Sequence, residues 1–329
     1  MKTHARVSAI DTAKGIGIAL VVFGHMVARD LKPLENDWWM VWHDRLYTFH
    51  MAFFFFLSGY VFFMQPASHW PARFRKSASK LIPAYLLFAL LVYLSKAAAV
   101  RVLHVDRPVQ EPIDEILRML IYPTEGFAQF LWFIYTLMMI YGLMVLLRHW
   151  VPRYYRASLA IAFLLHLLSV YGFVTEMFAL QQLTRYTFFF LIAGACHRHA
   201  EVWQAMCGRY ALVFLLGLAA ALVALPEVWL ATVAGLLSIP ALVGLATLLE
   251  RWEGPRAFLQ FLGRNTLPIY LMNSLAMGLA RALILRLWGW DGWHFFAVAP
   301  LLLSVGLLVP IAIQRLVFSR WEWSNRITQ

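Results

Sequence analysis

Apolar runs recur along the chain roughly every 30 residues, separated by short segments rich in basic and aromatic side chains. A helix needs about 20 residues to cross a hydrocarbon core of about 30 Å. The pattern predicts ten such helices, over 8–28, 46–65, 81–100, 127–147, 157–174, 185–198, 210–226, 229–249, 266–286 and 295–318. The expected fold class is all-α: a polytopic membrane protein forming a single bundle over 1–329. Between the third and fourth runs lies the longest polar segment, from about Arg101 to Gly126, with Asp106, Glu111, Asp114, Glu115 and Glu125. A short helix over Ile113 to Leu120 is expected there, serving as a lid or as an ordinary solvated connection.

The first run departs from a plain membrane segment because it carries Asp11, Lys14 and His25 among Ile, Leu, Val, Gly and Ala. Ionisable groups are costly in hydrocarbon and are kept there mainly for function. Lys14 and His25 are eleven residues apart, about three helical turns, so they share one face with roughly 16 Å between them. Asp11 sits one turn before Lys14 on the same stripe. A second concentration is Phe49-His50-Met51 to Ser58-Gly59-Tyr60, where Ser58 and Gly59 permit close helix contact. One run leads outward and the next returns, which brings His50 to the depth of His25.

Composition agrees with the pattern: 62% of the residues are hydrophobic and 14% charged, far from a soluble domain of average make-up. The net charge of +11 is dispersed over many connections, which argues for membrane topology and against nucleic acid. Lys2, Arg6, Arg73, Arg75, Lys76, Lys80, Arg148, Arg153, Arg156, Arg251 and Arg256 fall on one side. This bias favours both termini in the cytoplasm and an even number of spans. The first run is followed by the acidic and Trp-rich stretch Asp30 to Trp42 with no small-residue cleavage site, so it is expected to be retained. Cys196 and Cys207 form no disulfide framework, and His104, His149, His166, His197, His199 and His294 lack ligand spacing on a common face, so no metal is expected.

Five elements in order carry a family resemblance: Asp11 with Lys14-x10-His25; Phe49-His50-Met51 to Ser58-Gly59-Tyr60; Lys80-Leu81-Ile82-Pro83; Leu131-Trp132-Phe133; and Leu262-Gly263-Arg264-Asn265-Thr266-Leu267-Pro268-Ile269-Tyr270-Leu271. Together they resemble the acyltransferase 3 family, the integral-membrane O-acyltransferases of bacterial envelope polysaccharides. The resemblance is strongest to the branch that includes fucose 4-O-acetylase-like enzymes. Many members have arginine where Lys14 stands, which replaces a bidentate grip by a point charge. Members often have a histidine in the ninth run where this chain has Asn273, which can still hydrogen-bond.

The resemblance implies transfer of an acetyl group from cytoplasmic acetyl-CoA to a hydroxyl of an envelope glycan or lipid-linked saccharide, in a bacterial inner membrane. Its implied catalytic set is His25, Lys14, Asp11 and His50, with His25 as base. Lys14, Arg73, Arg75, Lys76 and Lys80 would hold the nucleotide end of the donor, or else set topology and meet lipid head groups. Ser58, Tyr60, Trp132, Asn265, Tyr270 and Asn273 would support the substrate or the packing. Asp11 either orients Lys14 or acts directly. Direct transfer and a covalent acyl-histidine relay both remain open, as do the acceptor, the acyl group beyond acetyl, and the oligomeric state. The rival reading is a transporter or flippase for a lipid-linked sugar or small solute, whose mark would be inverted repeats with broken helices; none is visible in the sequence.

Overall fold

The computed structural model describes residues 2–27, 38–100, 109, 111–289 and 292–328, with side chains from residue 9 onward. The acidic stretch opening at Asp30 and, in the longer connection, Asp106 lie outside the described residues. Sixteen α-helices follow one another with no strand among the described residues: α1 (Lys2–His25), α2 (Trp38–Tyr47), α3 (His50–Phe63), α4 (Trp70–Ala99), α5 (Pro112–Ile121), α6 (Trp132–Leu146), α7 (Trp150–Arg153), α8 (Tyr155–Val170), α9 (Leu180–Arg198), α10 (Ala200–Arg209), α11 (Ala211–Ala224), α12 (Glu227–Leu249), α13 (Glu253–Arg264), α14 (Thr266–Leu287), α15 (His294–Leu316) and α16 (Glu322–Thr328). Each of the ten apolar runs is helical. The chain is an all-α membrane bundle. The short helix expected over Ile113 to Leu120 is α5, which Tyr85 and Tyr135 hold by donating to the carbonyls of Met119 and Leu120.

Six described helices are long and apolar enough to cross a membrane, or seven if the pair α10 and α11, bent by 72°, counts as one span. The count of ten is not reached on that measure. Helix α8 has only 16 residues, α1 contains Asp11, Lys14 and His25, and α9 opens on Gln181, Gln182 and Arg185. Two boundaries also differ from the expected ones. Helix α4 starts at Trp70, so the basic stretch from Arg73 to Lys80 is helix and not connection. The second run is preceded by α2, from which it is separated by a turn at Thr48 and Phe49.

Helix α3 is the axis of the bundle. Phe53, Phe55, Phe56 and Phe62 are fully buried, and α1, α9 and α12 pack around it. Its Gly59 allows the approach expected from the sequence, since a Cβ there would run into the Phe190 carbonyl of α9. The outer faces are apolar instead: Leu86, Leu90 and Leu94 on α4 and Leu212, Leu216 and Val223 on α11 are exposed, as lipid contact requires.

The closest helix pairing is α1 against α13, and it is antiparallel. A Cβ on Gly15 would meet the backbone carbonyl of Leu259, and one on Gly263 would meet that of Asp11. The two glycines therefore let the backbones touch at points four residues apart on each helix. Thr12 adds a hydrogen bond to Glu250 Oε1 at 2.6 Å, pinning α1 to the start of the connection into α13. This crossing brings Arg264 beside Lys14. Gly263→Val is expected to lower stability by about 1–3 kcal/mol, because backbone atoms cannot yield as side chains do. The check is the thermal unfolding midpoint in detergent; an unchanged midpoint would mean that the two helices are not in contact.

Candidate active site

A cavity of about 290 Å³ runs between α1, α3, α4, α6, α13 and α14. One end is cationic: Lys14 of α1, Arg73 of α4 and Arg264 of α13 line it together. Lys14 is half-buried and its Nζ lies 3.5 Å from Asp11 Oδ1, so Asp11 steadies the ammonium. Beyond the cations the wall becomes apolar, with Leu57, Leu137, Leu267, Phe54 and Phe133. Ser58 and the ring of Tyr270 also face it. Tyr270 donates to the Phe130 carbonyl at 2.5 Å, fixing α14 against the segment that enters α6.

The far end is marked by Val21, Met51 and Tyr270. One turn beyond Val21 on α1 is His25, beside Met51 on α3 is His50, and one turn beyond Tyr270 on α14 is Ser274. His25 Nδ1 lies 2.9 Å from Ser274 Oγ, which in turn lies 3.2 Å from Asn273 Oδ1. His50 is buried, and its Nδ1 donates to the Leu46 carbonyl at 2.8 Å. A carbonyl can only accept, so in the neutral imidazole that bond places the proton on Nδ1 and the lone pair on Nε2. Tyr47 of α2 stands between the histidines, with its ring centroid 4.8 Å from His50, 6.4 Å from His25 and 4.4 Å from His43. Arg281, also buried, donates to the Met26 carbonyl at 3.2 Å, just past the end of α1.

A second cavity, of about 400 Å³, adjoins the cationic end and shares Arg264 with the first. Its other walls are Asn265, Pro268, Gln314, Arg315 and Ser319, a polar basin between α13, α14 and the end of α15. Asn265 also donates to the Phe261 carbonyl at 2.7 Å and so finishes α13.

The residues singled out in the sequence thus separate into two groups. Lys14, Arg73, Ser58 and Tyr270 line the first cavity, with Asp11 on Lys14, and His25, His50 and Asn273 gather at its far end. Arg75 and Lys76 sit on the exposed side of α4, and Lys80 is half-buried and does not line the cavity. Tyr60 is buried edge-on against His197, and Trp132 stacks on Tyr186 with centroids 5.5 Å apart; neither lines the cavity. The sequence reading missed Ser274, His43, Tyr47, Arg281 and Arg315 and treated Arg264 as a motif residue only. Ser274 was within reach: it lies one turn past Tyr270, at a position that one helical face shares.

No curated protein and no solved structure matches the chain. The model of the acyltransferase 3 family, described as an acyltransferase domain, matches residues 7–315, nearly the whole length and every residue that lines the first cavity. The chain belongs to the acyltransferase 3 family.

Proposed function

We propose that this membrane acyltransferase moves an acetyl group from cytoplasmic acetyl-CoA to a hydroxyl of an envelope glycan or lipid-linked saccharide, with His25 as general base. The observation that carries the reading is the polarity of the cavity: three cations from three helices at one end, apolar walls between, and an imidazole one turn past the other end. That sequence of environments suits a donor with a phosphate-bearing head, a long neutral arm and a reactive thioester at the tip. Lys14, Arg73 and Arg264 would hold the phosphates, and Arg315 in the adjoining basin adds a fourth cation for the nucleotide. The Lys/Arg bias supports placing this end, and both termini, in the cytoplasm of a bacterial inner membrane.

The acceptor would come from the opposite side, where the exposed rings of Trp38, Trp42 and Tyr47 on α2 offer faces for a sugar. In the transfer, His25 Nε2 takes the proton of the acceptor hydroxyl while its oxygen attacks the thioester carbonyl. The carbon–sulfur bond then breaks, and the CoA thiolate leaves and recovers the proton from the imidazolium. The products are the acetyl ester and CoA thiol. The test is delivery of labelled acetyl-CoA to the outside of inverted membrane vesicles that hold the native glycans. Label in glycan supports the reading; intact protein that transfers none under these conditions, while moving glycan or solute across the vesicle membrane, would favour transport.

A further inference from the structure

The hydrogen bonds around His25 carry information about its protons. Asn273, almost fully buried, donates from its amide nitrogen to its own helix, to the Ile269 carbonyl at 2.8 Å and the Tyr270 carbonyl at 2.9 Å. Those two bonds fix the amide orientation and direct Oδ1 to Ser274 Oγ. An amide oxygen only accepts, so the single hydroxyl proton of Ser274 is committed to Asn273. Ser274 Oγ is then left to accept, and its other partner is His25 Nδ1 at 2.9 Å. With the hydroxyl proton on Asn273, the proton of this second bond comes from His25 Nδ1.

We infer that Ser274 and Asn273 are positioning residues that lock His25 in the tautomer protonated at Nδ1 and keep the lone pair on Nε2. The lock is directional. It begins at two helix carbonyls, which can only accept, passes through the Asn273 amide and the Ser274 hydroxyl, and ends at the imidazole. Among the described residues no carboxylate bonds to this imidazole, so the chain that orients it is built of neutral groups. Among the described residues, Nε2 has no hydrogen-bond partner of its own. The base is thus preset before an acceptor arrives. Asn273 occupies the position at which a histidine is common in the family, and here an amide performs the orienting task without titrating. His50, whose Nδ1 proton is held by the Leu46 carbonyl, is set in the same sense. The chemistry assigned to Nε2 rests on the acyltransferase mechanism proposed above; the tautomer does not.

The test is solid-state nitrogen NMR of the full chain labelled with ¹⁵N-histidine in lipid bilayers at pH 7.5, with the His25 signals identified by their loss in His25→Gln. The unaltered chain is expected to give a protonated Nδ1 and an unprotonated Nε2. Asn273→Leu releases the Ser274 proton to His25 and is expected to shift the population toward the opposite tautomer. Ser274→Ala removes the lock and is expected to give a mixture, while Ser274→Thr keeps the hydroxyl and the original tautomer. A protonated Nε2 in the unaltered chain would overturn the inference, as would a tautomer that ignores the Asn273 and Ser274 replacements in variants that unfold at the normal temperature. In the transfer assay Ser274→Ala is expected to lower kcat at least about tenfold, below the roughly 10⁴-fold that a wrong tautomer costs a histidine base. The KM for acetyl-CoA is expected to stay within about twofold, and Ser274→Thr to restore most of the rate. Absence of transfer by the unaltered chain would sink the proposed reaction, while the NMR result would still decide the lock.

Discussion

His25→Ala is expected to lower acetyl transfer by about 10²–10⁴-fold while leaving the folded yield and unfolding midpoint close to those of the unaltered chain. The stability expectation follows from the surroundings. Removing the imidazole leaves Ser274 bonded to Asn273, so no buried polar group is stranded. The kinetic expectation follows from the reaction: without a base, the acceptor hydroxyl must attack with its proton in place. Loss should fall on kcat and not on the KM for acetyl-CoA, because the cationic end of the cavity is about three turns away. His50→Ala provides the comparison. His50 also offers an unprotonated Nε2, but its proton is held by a backbone carbonyl of the turn before it, and the Asn273–Ser274 chain does not reach it. Its replacement is expected to cost less than that of His25. If His50→Ala proves the more damaging of the two, the base has been assigned to the wrong helix. A full loss in both, with label trapped on the protein in only one of the two variants, would point to an acyl-histidine relay through the histidine that this variant retains.

Much of this arrangement is legible in the sequence because it is helical and local. The period of the apolar runs gives the helices, and the eleven-residue separation of Lys14 and His25 gives a common face of α1. What could not be read is which helix meets which. Ser274 is 249 residues from His25, and only the crossing of α14 with α1 brings them together. Arg264 reaches the cavity because Gly15 and Gly263 let two backbones touch, a relation that neither glycine announces alone. The basic stretch from Arg73 to Lys80 shows a different failure. Taken as a connection, its four cations are equivalent; as the first turns of α4 they are not. Arg75 is about 200° around the helix from Arg73, so one lines the cavity while the other is exposed. Helical phase, not charge, selects among them.

Lys14→Met is expected to raise the KM for acetyl-CoA by about ten- to hundredfold, the equivalent of one charge-assisted contact worth about 1.5–3 kcal/mol. The effect should fall at the upper end of that range. Lys14 is paired with Asp11 at 3.5 Å, and removing the cation leaves that carboxylate unneutralised next to the cationic end of the cavity. An anionic donor would then meet repulsion where it had met attraction. Asp11→Asn together with Lys14→Met should therefore bind the donor better than Lys14→Met alone, a non-additive result that a double-mutant cycle measures directly. Lys14→Arg should hold KM at or below the original value, since a guanidinium can reach both Asp11 and a phosphate oxygen with separate N–H groups. Added salt should weaken donor binding in the unaltered chain more than in Lys14→Met, because screening acts on an attraction that the variant no longer has. A lysine that serves topology alone predicts another pattern: altered yield or orientation in Lys14→Met, with KM and its salt dependence unchanged in the protein that inserts correctly. The KM of correctly inserted Lys14→Met therefore decides whether this cation belongs to the donor site or only to the membrane surface.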